Sequence, residues 1–198
     1  QVLRFASEEV LEGELNGNAL VQSFSFAQEL SDEATTTDTG AAESYSEFVS
    51  ISDDTGALSM EVPVEWSDIN GSGWVENDVD LGPALSASPD LEGYNNTWEV
   101  PGVFFGVSDQ LGMTPEDYLD TIGFDDSCTY DSRSDYSDGL YTGFYDLWID
   151  CGDVGSSFVV IVAQPEDASY LTLVQVQVVG DADLDALDRI MNTFIYLP

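Results

Sequence analysis

The sequence contains no histidine and no lysine, and its basic side chains are Arg4, Arg133 and Arg189 alone. Each absence removes a class of function. Three scattered arginines cannot neutralise a run of phosphates, which argues against nucleic-acid binding. They cannot hold the chain on an anionic lipid surface either. Histidine-dependent acid–base or nucleophilic catalysis is excluded, as are Schiff-base and phosphate-loop lysines. A histidine-ligated transition metal is excluded on the same ground. No apolar run approaches the ~20 residues of a membrane-spanning helix, so no membrane insertion is expected.

What is present in excess is acid. Thirty-nine Asp and Glu give a net charge of −36 over 198 residues. Such a surface repels itself, so salt or divalent cations are expected to screen it. Hydrophobic residues are still 43% of the chain and aromatics 12%. That content suits a folded core rather than a disordered acidic chain. The length allows one domain plus an appendage. Two cysteines, Cys128 and Cys151, suit a structural disulfide in an oxidising compartment, and they lack the Cys-x-x-Cys spacing of a redox pair. The chain starts at Gln1 rather than Met, as a processed mature chain would. The expected location is therefore extracellular or at the cell surface.

The organising stretch is Ser157–Val179. Phe158–Ala163 is apolar on both parities, which predicts a strand buried on both faces. After a turn at 164–169 the next run alternates. Val174, Val176 and Val178 share one parity, with Gln175 and Gln177 on the other, which predicts a half-buried strand. Further strands are expected at Phe48–Ile51, Ala57–Val62, Ala84–Ala87, Val103–Val107 and Gly143–Ile149. Ser88-Pro89-Asp90-Leu91 predicts a short helix capped by Ser88, and Thr114-Pro115-Glu116-Asp117 a second one capped by Thr114. Asp181 or Asp183 is expected to cap a third, with Leu184, Leu187, Ile190 and Met191 on its stripe. The sum is an α+β domain, a mainly antiparallel sheet packed by two or three short helices.

Three regions are expected. Residues 1–30 form a β-strand extension, 31–46 an acidic Ser/Thr linker, and 47–198 the α+β domain. A few strands alone are not stable in water, so residues 1–30 are expected to pack on their own domain or on a neighbour. Val2, Leu3, Phe5, Val10, Leu20, Phe24 and Phe26 are the residues expected to bind a neighbouring subunit.

The stretch Asp54–Trp66, a strand followed by Pro63 and Trp66, resembles the opening of PsbP-like domains. So do Pro89–Gly102 (Pro-Asp-Leu-x-x-Tyr-x-x-Thr-Trp-x-x-Pro-Gly) and the cysteine-bounded segment 128–151. Residues 47–198 as a whole are similar to the PsbP-like domains found downstream of trypsin-like proteases in secreted bacterial proteins. Leu-Glu-Gly-Glu-Leu-Asn-Gly at 11–17 resembles the start of a peptidase-associated β-sandwich. The resemblance implies a fold but no common activity. No Gly-Asp-Ser-Gly protease motif is present.

Candidate sites are few. Asp125, Asp126, Asp131 and Asp135 crowd one segment and could offer oxygen ligands to calcium, although no EF-hand spacing is met; turn-forming aspartates are the plainer reading. Arg133 would then be a local counter-charge. Trp66, Trp74, Trp98 and Trp148 could line a peptide or glycan groove, or simply fill the core. Asn95-Asn96-Thr97 fits the glycosylation sequon. No catalytic constellation stands out, and no cofactor is expected beyond calcium as a candidate ion. The expectation is a non-enzymatic structural subunit of an extracellular filament or surface assembly, self-associating through its N-terminal strands with divalent cations as partners. The alternative is an accessory or binding domain, for peptide or glycan, beside a secreted serine protease.

Overall fold

A computed structural model describes residues 44–197. The elements, in chain order, are β1 (Phe48–Ser52), β2 (Leu58–Pro63), β3 (Asp68–Asn70), β4 (Trp74–Glu76), β5 (Val79–Gly82), β6 (Ala84–Ser88), α1 (Leu91–Asn96), β7 (Gly102–Ser108), α2 (Pro115–Leu119), β8 (Thr129–Ser137), β9 (Thr142–Cys151), β10 (Ser156–Gln164), β11 (Leu171–Val178), α3 (Asp181–Met191) and β12 (Ile195–Tyr196). Sheet pairing is antiparallel throughout these elements, so the α+β class with a mainly antiparallel sheet holds.

The expected hairpin sits inside the main sheet. β10 and β11 pair with Val159 opposite Val176 and Ile161 opposite Val174. They belong to a seven-stranded sheet of order β3-β6-β7-β11-β10-β9-β8. The double parity of β10 has its physical cause here, because both faces of the sheet are covered. Val159, Ile161 and Ala163 enter one core with Leu58, Met60 and Val62 of β2, Trp66, Phe194, and Ala186, Leu187 and Ile190 of α3. Phe158, Val160 and Val162 enter the other with Trp74, Leu81, Leu119 of α2, Trp148 and both cysteines. The stripe read on α3 accordingly faces the sheet, with Leu184 and Met191 partly buried beside it.

β11 is not half buried. Leu171 and Leu173 fill its second face, and Gln177 is only 1% exposed. The segment after α1 folds over this face. Gln177 Nε2 donates to Val100 O at 2.8 Å and Thr97 O at 3.2 Å, so the buried amide satisfies carbonyls that no strand pairs.

Capping follows local chemistry. α1 is capped by Asp90 rather than Ser88, whose hydroxyl is held by the Pro101 and Asp90 carbonyls at the end of β6. Thr114 caps α2 as expected, with Pro115 in its first turn. At α3 the cap position is Gly180, not either aspartate. Asp183 instead reaches back from the first turn and accepts from the backbone N–H of Val179 and Gly180, at 2.9 Å each. Its other oxygen accepts from Tyr45 Oη at 2.6 Å, and Tyr45 Oη accepts from Trp66 Nε1 at 3.0 Å. Burial, with the Asp183 bond, raises the Tyr45 pKa above its ordinary value. Tyr45 was expected in the linker, yet these bonds fasten it to the domain.

The β1–β2 turn is built on Asp53, which is 5% exposed. Its carboxylate accepts from Thr55 Oγ1, from Thr55 N at 3.0 Å and from Leu58 N at 2.6 Å. Burial disfavours the charge, but these hydrogen bonds prevail and hold the carboxyl below its ordinary value. A carboxyl depressed in the folded state stabilises above its unfolded pKa of about 3.9, and that contribution is lost as pH falls through the folded value. Asp53→Asn should therefore be less stable than the parent at pH 6, and the gap should narrow toward pH 3. Urea denaturation at stepped pH reads this; a gap that stays constant would show that the charge is irrelevant to the turn.

Candidate functional site

β8 reads Thr-Tyr-Asp-Ser-Arg-Ser-Asp-Tyr-Ser and has no aliphatic residue. Hydrophobic periodicity gives no sign of it, and the sequence shows only a segment crowded with aspartates. In the structure it is a nine-residue strand at the edge of the main sheet, paired to β9 only. Three devices replace apolar burial in holding it.

The first is covalent. Cys128, just before β8, is joined to Cys151 at the end of β9. The second is ionic. Arg133 stands opposite Asp146 in the β8–β9 register. Its Nε donates to Asp146 Oδ1 at 2.7 Å and its Nη2 to Oδ2 at 2.9 Å. Its Nη1 donates to Asp120 Oδ1 at 2.7 Å, at the end of α2. The Asp146 bond dominates the environment of the guanidinium and raises its pKa further. Asp146 is 2% exposed, so the pair is bidentate and largely desolvated. The third is aromatic: Tyr130 meets Trp148 edge to face with ring centroids 5.1 Å apart.

A bulge at Asp131 separates the pairs Tyr130–Trp148 and Ser132–Leu147. It resets the parity of the strand. Tyr130, Arg133 and Asp135 therefore share the face of Trp148, Asp146 and Phe144. Ser132, Ser134 and Tyr136 share the other face with Leu147 and Tyr145.

The calcium candidates are not gathered. Asp125 and Asp126 lie exposed in the turn before the strand, Asp131 sits in the bulge, and Asp135 stands exposed further along. Asp131 accepts from the Ser132 hydroxyl at 2.7 Å. Among the described residues, no three His, Cys, Asp or Glu side chains form a group that could hold a metal ion. Arg133 is a counter-charge, as expected, but to Asp146 and Asp120 rather than to these four. The tryptophans do not share one groove: Trp66 belongs to one core, Trp74 and Trp148 to the other, and Trp98 packs against the second. The sequon residues Asn95 and Thr97 are exposed at the end of α1. Val2, Leu3, Phe5, Val10, Leu20, Phe24 and Phe26 lie outside the described residues.

The buried carboxylates have structural partners. Asp53 closes a turn, Asp146 takes Arg133, and Asp183 closes the start of α3. What the described residues do present is an open sheet edge. β3, at the far edge, spans three residues, and its Asp68 carboxylate accepts from Leu91 N of α1. In the three-stranded sheet the edges are β1, five residues, and β12, two residues, and β4 and β5 form a two-stranded sheet of three and four residues. β8 is the longest exposed row of backbone donors and acceptors, the kind of surface to which another strand adds. Among the described residues no helix is long and apolar enough to cross a membrane.

No family model matches the chain, and no curated protein matches it.

Proposed function

We propose that the chain is a non-enzymatic structural subunit of an extracellular assembly, joined to its neighbours by strands from residues 1–30. The observation that carries this reading is the open β8 edge on a sheet whose two faces are already covered. The faces leave little apolar surface to recruit a partner, whereas the edge offers a row of backbone groups. A disulfide suits an oxidising compartment. The sheet-and-helix plan is compatible with a PsbP-like domain serving as the building block.

Light scattering and electron microscopy of the full chain test the reading. Assembly should be suppressed at ~10 mM ionic strength, where the Debye length is about 30 Å and the charge of −36 repels unscreened. It should appear in millimolar calcium or 0.5 M salt. Deleting residues 1–30 should abolish it while leaving the thermal unfolding of the domain in place. A monodisperse chain under every salt condition would sink the proposal.

A further inference from the structure

The acidic residues act as a ruler along this chain. Uncharged stretches at 81–89, 100–108, 154–165, 168–180 and 190–197 stand out between the acids and arginines. The first four supply β6, β7, β10 and β11, and the last carries the end of α3, the buried Phe194 and the two-residue β12. The logic is physical: an unpaired carboxylate is costly to bury, so in this chain a long neutral run marks a segment that enters a core, in four of the five cases as a strand. One further run of this length, Leu15–Gln28, lies outside the described residues. Within it Leu20, Gln22, Phe24 and Phe26 share one parity, and Ala19, Val21, Ser23 and Ser25 share the other.

We infer that Ala19–Phe26 of one copy adds as a strand to the β8 edge of a second copy. This rests on the assembly reading above and names its joint. Length is the first argument, since the eight residues of the segment nearly span the nine of β8 and exceed β1, β3 and β12. Shape is the second. One face of β8 carries Ser132, Ser134 and Tyr136, and Tyr136 packs against the first core beside Phe194. Small serines leave room there for Leu20, Phe24 and Phe26 to extend that core. The opposite face carries Arg133 in its ion pairs and Asp135, where the small side chains of the other parity fit without disturbing them. Charge is the third. Val10–Leu15 carries Glu12 and Glu14, and a second β8 edge carries Asp131 and Asp135, so either would set like charges against the Asp131 and Asp135 already there. The neutral run meets no such repulsion. Donor and acceptor are different surfaces, so the contact is head to tail; unless its rotation closes a ring, it propagates into a filament.

Cysteine pairs in the full chain test this directly. The native cysteines are bonded to each other, so only introduced thiols react. A tagged chain carrying Gln22→Cys and an untagged chain carrying Ser134→Cys are mixed under assembly conditions with oxidised glutathione. A second pair, Ser23→Cys with Asp135→Cys, reports the other face. Linked tagged–untagged dimers should exceed by at least tenfold those formed with a Ser50→Cys control on β1. Preferential linking at Ser50, or linking within single chains only while the material still assembles, would overturn the acceptor assignment and leave the assembly reading standing. A native chain that never assembles removes both.

Discussion

Arg133→Met should cost about 3–5 kcal/mol of stability in urea denaturation, far more than an arginine on an edge strand would ordinarily merit. The reason is what remains behind. Both Asp146 carboxylate oxygens accept from Arg133, and the Asp146 side chain is only 3% exposed. Methionine fills much of the volume but leaves a buried carboxylate without its cation. Among the described residues, the ion pair of the second arginine makes the contrast. Arg189 and Glu61 meet at 3.1 Å with both side chains 38% exposed, a geometry worth about 0–1 kcal/mol. Burial of the anion, not the presence of a salt bridge, sets the magnitude. The double change Arg133→Met with Asp146→Leu should therefore recover most of the loss, because it removes the stranded charge along with its partner. If the double variant is as unstable as the single one, the arginine acts through the packing of its stem and not through the carboxylate. In that outcome β8 is held to β9 and α2 by the fit of the arginine stem.

These same residues explain what the sequence discloses and what it conceals. β10 is legible because six consecutive apolar side chains on both parities admit few readings, and the covered sheet gives that pattern its cause. The disulfide is legible because two cysteines leave one intrachain partner each. β8 is not legible from periodicity. Its stability resides in Cys128, Arg133 and Tyr130, whose partners Cys151, Asp146 and Trp148 all lie on another strand. Without the register, the aspartates around Arg133 look like ligands, and its true acceptor, Asp146, looks like one acid among many. Gln177 misleads in the same way. Alternation assigns it to solvent, and only the fold of residues 97–100 across it supplies the carbonyls that make its burial tolerable. The capping error at α1 is local: Ser88 and Asp90 are both good caps, and the end of β6 claims the serine.

Replacing both cysteines by alanine should cost about 3 kcal/mol, on the loop-entropy estimate for a bridge between residues 23 apart in sequence. The loop it closes contains β8 and most of β9, so the loss should be visible locally before it is visible globally. Hydrogen exchange resolves the two. Amides of Thr129–Arg133, at the bridged end of β8, should lose protection by more than those of Val159–Val162 in the middle of the sheet. A bridge acting only on the unfolded chain would instead lower protection by the same free energy at every amide that exchanges through global unfolding, β10 included. Uneven loss would mean that the disulfide also restrains the edge within the folded molecule. That distinction bears on assembly. A strand that receives another must hold its own register while its outer backbone is bare, and β8 has no aliphatic side chain with which to do so. If the bridge restrains the edge, removing it should weaken strand addition even where the domain remains folded, and the tagged–untagged links at Ser134 should fall with the loss of exchange protection rather than with overall stability.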